Sequence, residues 1–200
     1  MATKIKICGL TRPCDIEAVN STKPDYIGFV FANSRRKVTP QQASKLRDKL
    51  NASIIPVGVF VNESIENIIP IVRDGIIEMI QLHGSENEDY IQELKQLTEK
   101  LIIKSITVRH KGDVRAWSNT AADYLLLDNA NGGTGQTFDW NLIDSTEKLF
   151  FLAGGLNAEN ITEAIAKTSP FAVDVSSGVE TNGLKNLTKI NEFIRRVRNG

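Results

Sequence analysis

Eight short apolar runs recur along the 200-residue chain, each followed by a polar or helix-patterned stretch. They cover residues 5–8, 26–31, 54–61, 79–83, 101–106, 124–128, 149–153 and 172–176. Near-continuous apolar runs, as opposed to alternating ones, belong to parallel strands covered on both faces by helices. The segments between them carry helical signals. Thr39 caps a helix with Pro40 in its first turn, and Ala43, Leu46 and Leu50 form its apolar face. Ser85-Glu86-Asn87-Glu88 reads as a capping box leading into the stripe Ile91, Leu94 and Leu97. A last helix is expected through Leu184, Leu187, Ile190, Ile194 and Val197, with Arg195, Arg196 and Arg198 near its C-terminal end. Pro70 interrupts the helical pattern at 65–72 and predicts a kink or a short element. Eight units of about 25 residues each close most simply into an α/β fold, a single (β/α)8 TIM barrel spanning 1–200 as one domain. The rival, an open doubly wound sheet, calls for a glycine-rich fingerprint after the first strand, and Gly9 alone does not supply it.

Charge is balanced, with 24 Lys+Arg against 24 Asp+Glu, so no overall field favours nucleic acid or an anionic membrane. The apolar run at 54–61 is far too short to span a bilayer, and no apolar leader precedes Cys8. A cytoplasmic protein with Cys8 and Cys14 as reduced thiols is expected. Helix surfaces present no obvious large apolar patch, so a monomer is expected, with a dimer as the alternative.

In a barrel of this kind the reactive groups gather at the C-terminal strand ends and the loops after them. Strand side chains alternate in direction, so Lys6 and Cys8 share one face and a cation and a thiol point together toward the mouth. A cysteine there is either packing or an activated base; Lys6 would favour the thiolate, or would instead pair with Asp174 on the neighbouring strand. Asp128 ends a run of three leucines, and a carboxyl walled by apolar groups becomes the weaker acid that general acid catalysis needs. Leu152-Ala153-Gly154-Gly155-Leu156 and Ser176-Ser177-Gly178 follow the seventh and eighth strands, where such barrels commonly hold phosphate on backbone N–H groups. Among Ser34-Arg35-Arg36-Lys37, one inward arginine would clamp a carboxylate. His83, beside Gln81, could carry protons or orient a substrate, and Gly132-Gly133-Thr134-Gly135 could form a lid or a long turn. Trp117 and Trp140 look like packing residues on helices or helix starts. His83 and His110 lie far apart and no cysteine pair has ligand spacing, so no metal site is expected.

These motifs also stand in a familiar order. Residues 6–11, 28–31, Ser34-Arg35-Arg36 before Val38-Thr39-Pro40, 57–62, Gln81-Leu82-His83-Gly84, Leu127-Asp128, Gly135 through Phe138-Asp139-Trp140, 153–157 and 173–180 together resemble the phosphoribosylanthranilate isomerase family over essentially the whole chain. The resemblance implies an Amadori rearrangement of a phosphorylated small-molecule substrate in tryptophan biosynthesis, with no cofactor and no nucleic-acid or membrane partner. It implies Asp128 as general acid and Cys8 as general base. Arg36 would hold the anthranilate carboxylate, Gly154, Gly155, Ser176, Ser177 and Gly178 the phosphate, and Asp174 a ribose hydroxyl, with His83 also in the substrate site. The competing readings are another isomerase or lyase on a phosphate-binding barrel, which would typically present two aspartates or a lysine with a glutamate, and a non-catalytic phosphosugar binder.

Overall fold

The computed structural model describes residues 2–129, 137–143 and 146–199. Eight parallel strands run in chain order around a closed barrel: β1 Lys4–Cys8, β2 Tyr26–Val30, β3 Ile55–Phe60, β4 Met79–Leu82, β5 Leu101–Thr107, β6 Tyr124–Asp128, β7 Phe150–Leu152 and β8 Ala172–Val175. Closure comes where β1 meets β8, with Lys6 opposite Asp174 in the register. Alternation sends one set of side chains inward: Tyr26, Val57, Met79, Ile103, Leu126, Phe151 and Ala172 fill the barrel below the mouth. The other set, including Ile5, Ile7, Ile27, Phe29, Leu125 and Leu127, packs outward against the helices in a larger core.

Six α-helices cover the barrel among the described residues: α1 Pro13–Thr22, α2 Pro40–Arg47, α3 Ile65–Arg73, α4 Glu88–Leu97, α5 Ile161–Thr168 and α6 Leu187–Asn199. Thr39 caps α2 as the sequence implies, accepting from the Gln42 amide while Gln42 reaches back. Pro70 sits inside α3, which stays a short element of nine residues. No helix of the described residues is long and apolar enough to cross a membrane.

Three expectations need correction. The β5–β6 connection has no α-helix, only a single 3₁₀ turn at Arg115–Trp117. Between residues 109 and 120 its sequence offers just Val114 and Trp117 as core contacts, too few for a buried helical face. A second 3₁₀ turn, Trp140–Leu142, stands among the described residues between β6 and β7. The cap of α4 is Asn87, which accepts from the Tyr90 amide, and not Ser85. The last helix begins at Leu187, because Leu184–Lys185 (β10) pairs antiparallel with Glu180–Thr181 (β9). Asn182 and Gly183 form that hairpin's two-residue turn, both at positive φ (50° and 79°), as an Asn-Gly type I′ turn requires.

Glu86 has another task. Its carboxylate accepts from the Asn62 and Gly84 amides and pairs with Lys104 at 2.7 Å, both side chains only 2 % exposed. Burial acts to raise the Glu86 carboxyl, but Lys104 and the backbone donors outweigh it and hold it below the ordinary glutamate value. Because the folded value is depressed, this contribution to stability is present above the ordinary value of 4.5 and is lost as pH falls through the folded one. Glu86→Gln leaves a buried ammonium without its counter-charge and should cost about 3–5 kcal/mol in urea unfolding at neutral pH. A single substitution that costs no more than an exposed one would contradict this.

Candidate active site

At the C-terminal ends of the strands a cavity of about 340 Å³ is lined by Cys8, Arg36, Gln81, His83, Asp128 and Asp174, with Gly154, Gly155, Ser176 and Ser177 along one side. This size falls in the range of small-molecule sites, roughly 300–1,000 Å³. Of the residues expected to have a catalytic or substrate-binding role, Gly178 alone does not line it, and Lys6, Arg35 and Lys37 also stand outside the lining. A Cβ there would collide with the Leu156 carbonyl, so Gly178 lets the β8 loop pack onto the β7 loop. The segment Gly132–Gly135 lies outside the described residues. Among those described, no cluster of His, Cys, Asp and Glu is arranged to hold a metal ion.

Cys8 ends β1 with its side chain inward and 9 % of the residue exposed. Gly28 on β2 makes the space for it, since a Cβ there would lie 2.6 Å from Sγ. Gly9, at φ 85°, then turns the chain away and packs under the Arg36 side chain. Burial pushes the Cys8 thiol up; Lys6 and Lys185 oppose this and Asp174 reinforces it, and the balance stays upward. The sequence reading, in which Lys6 favours the thiolate, captured only the opposing contribution.

Lys6, fully buried, donates to Asp174 Oδ2 at 2.8 Å and to Gln81 Oε1 at 2.7 Å. Desolvation works against its charge, yet Asp174 and Cys8 raise its pKa above the ordinary lysine value. Gln81 Nε2 contacts His83 Nδ1 at 2.9 Å, and His83 Nε2 lies 3.5 Å from Asp128 Oδ2. Asp128 also accepts the Asn129 amide on Oδ1 at 2.7 Å. Gly154, at φ 83°, has no side chain to meet that oxygen: a Cβ would stand 2.9 Å from it. A row of polar groups thus crosses the cavity floor from β8 and β1 through β4 to β6.

Across the mouth, Glu180 gathers three cations. Arg36 gives it Nε and Nη2 at 2.7 and 2.9 Å, Arg35 gives Nη2 at 2.9 Å, and Lys185 gives Nζ at 2.7 Å. Arg36 points inward at 16 % side-chain exposure whereas Arg35 is 58 % exposed. Burial alone would raise the Glu180 carboxyl, but Arg36 and Lys185 bring it below the ordinary value. Burial depresses Lys185 despite that partner. Lys185 also donates to the carbonyl and hydroxyl of Ser176, and the Ser176 hydroxyl donates to the Cys8 carbonyl. Sequence reasoning gave no site role to Glu180 or Lys185. Lys185 was hidden inside an expected helix, although Asn182-Gly183 marks a hairpin that would have placed it opposite Glu180.

The two thiols should differ sharply in reactivity, because Cys14 is exposed while Cys8 is buried with its thiol pushed up. Iodoacetamide at neutral pH should alkylate Cys14 at least about tenfold faster than Cys8, read by peptide mass spectrometry. Equal rates would contradict the geometry around Cys8.

Comparison with known proteins narrows the chemistry. Residues 5–196 match the family model described as N-(5'-phosphoribosyl)anthranilate isomerase. The N-(5'-phosphoribosyl)anthranilate isomerase of Endomicrobium trichonymphae is 47% identical over 199 residues, covering 98% of both chains. The crystal structure of phosphoribosyl anthranilate isomerase from Thermotoga maritima superimposes with a TM-score of 0.89 at 35% identity, covering 99% of this chain and 100% of that one. Another solved phosphoribosyl anthranilate isomerase, in complex with reduced 1-(o-carboxyphenylamino)-1-deoxyribulose 5-phosphate, has a TM-score of 0.84 at 31% identity over 99% of this chain and 100% of that one. The fold, the strand-end cavity and these matches agree, and the chain belongs to the phosphoribosylanthranilate isomerase family.

Proposed function

We propose that Cys8 and Asp128 act as base and acid in converting N-(5'-phosphoribosyl)anthranilate to 1-(2-carboxyphenylamino)-1-deoxyribulose 5-phosphate, the isomerisation in tryptophan biosynthesis that the family performs. The observation that carries the assignment is that a thiol and a carboxyl, from strands three places apart around the barrel, line one cavity beside a glycine-rich loop pair. Asp128 donates a proton to the furanose ring oxygen. The C1–O bond breaks, and the anthranilate nitrogen supplies its lone pair to form a protonated Schiff base. Cys8 as thiolate removes the C2 proton, and the C–H electron pair moves into C1–C2 while the imine pair returns to nitrogen. The enolamine loses its C2 hydroxyl proton and gains one at C1, giving the ketone. The substrate's own iminium is the electron sink, so the chemistry needs no cofactor. In the resting site burial keeps the thiol protonated, with Lys6 and Lys185 as the groups that favour its ionisation.

Arg36 is suited to the anthranilate carboxylate. Glu180 takes its Nε and Nη2 edge, which leaves the Nη1–Nη2 edge to offer a second two-pronged contact. Gly154 and Gly155, both at positive φ, and Ser177 form the wall proposed for the phosphate, with Gly178 allowing the close loop packing behind it. The Ser176 hydroxyl already has two partners, so its backbone is the part available to an anion. Asp174 Oδ1 is buried without a hydrogen-bond partner while Oδ2 holds Lys6, so the ion pair and a ribose-hydroxyl contact can share one carboxylate.

Cys8→Ser and Asp128→Asn should each lower kcat by about 10²-fold or more, with KM little changed, in a fluorescence assay on freshly generated phosphoribosylanthranilate. Wild-type turnover in either variant would overturn that residue's role. Arg36→Met should instead raise KM by at least about tenfold, the loss of a charge-assisted pair, and a KM at the wild-type value would remove Arg36 from the carboxylate site.

A further inference from the structure

We infer that Gln81 is a positioning residue: its side-chain amide, turned by Lys6, holds His83 as the tautomer protonated on Nε2, with that N–H facing the Asp128 carboxyl. The inference deepens the reading of Asp128 as the acid and rests on it for its catalytic consequence.

Lys6 carries a side chain that can only donate. The Lys6 ammonium has three donors and no acceptor, so the Gln81 atom 2.7 Å from it must be the carbonyl oxygen. The amide nitrogen then faces His83 Nδ1 at 2.9 Å. An NH₂ group donates and does not accept, so Nδ1 must present its lone pair and the ring proton of neutral His83 resides on Nε2. Nε2 in turn lies 3.5 Å from Asp128 Oδ2. After Asp128 gives up its proton, the ring N–H is placed to meet the new negative charge on Oδ2, while the Asn129 amide holds Oδ1. Gln81 is only 1 % exposed, and it and His83, just past the end of β4, both face the cavity, so the amide has little freedom to turn over.

The other charged or titratable groups around the ring are consistent with a fixed direction. Cys8, Arg36 and Asp174 line the same cavity, Arg36 is engaged by Glu180, and Asp174 is engaged by Lys6. Lys104 and Glu86, beyond Gly84, are paired with each other. A carboxamide is a poor proton carrier, so the row Lys6–Gln81–His83–Asp128 sets orientation and does not conduct protons between Cys8 and Asp128.

The test exploits a side chain of the same shape with the opposite hydrogen bonding. In Gln81→Glu the carboxylate accepts from both Lys6 and the ring, which draws a proton onto Nδ1. The chain has only two histidines, so ¹⁵N NMR of histidine-labelled protein, with His110→Gln for assignment, reads the ring directly without substrate. The expected result is an unprotonated Nδ1 in the wild type and a protonated Nδ1 in Gln81→Glu, with kcat down by about tenfold or more and KM within about threefold. A wild-type ring protonated on Nδ1 overturns the inference even if the variant fails to fold. So does a Gln81→Glu protein with Nδ1 unprotonated, or with wild-type kcat. Loss of the Asp128 assignment would show separately, as full turnover in Asp128→Asn with the ring tautomer unchanged.

Discussion

A fully buried ammonium holds the seam of this barrel. Lys6 stands where β1 meets β8, paired with Asp174 across the register and bonded to Gln81 on β4. Burying that charge is costly, and an apolar trio could close the seam at least as stably. What the ion pair supplies is direction. It fixes which end of Gln81 faces the ring, sets one oxygen of Asp174 toward the cavity wall, and puts a positive charge beside Cys8. The polarity of the site is therefore set by one residue at the seam.

The arrangement separates two problems that the reaction poses. The end proposed to supply the acid, at Asp128, is walled by Gly154 and faced by the Asn129 amide and the His83 ring. The end proposed to supply the base, at Cys8, sits in a cramped space opened by Gly28 and flanked by two lysines, Lys6 and Lys185. Glu180 joins the second lysine to Arg36, so the side proposed to hold the carboxylate and the side proposed to hold the thiolate share a common brace. Two buried glutamates thus do structural work at the same rim: Glu180 braces the β8 hairpin, and Glu86 anchors the loops after β3 and β4.

Much of this was legible in the sequence because a parallel barrel turns chain order into spatial order. Apolar runs located every strand, and the residue ending each run located the rim. Cys8, His83 and Asp128 were found this way, and Asp174, inside the last run, through its expected pairing with Lys6. The connections were less legible. The stretch after β5 lacks a helical stripe, and expecting a helix there followed the rhythm of the fold over the residues themselves. Glu180 escaped notice because its partners Arg35 and Arg36 lie 145 and 144 positions away, and no local pattern marks such a contact. Lys185 was recoverable in principle from Asn182-Gly183. The direction of the Cys8 shift was not, since it depends on how deeply the strand end is buried.

The central claim is that two residues divide the reaction between them, Asp128 opening the ring and Cys8 removing the C2 proton. The most direct test is the kinetic isotope effect with substrate deuterated at C2, measured in both variants. The account predicts a full primary effect in Cys8→Ser, where C–H cleavage becomes limiting, and little or none in Asp128→Asn, where ring opening does. The reverse pattern, or the same effect in both, would contradict it.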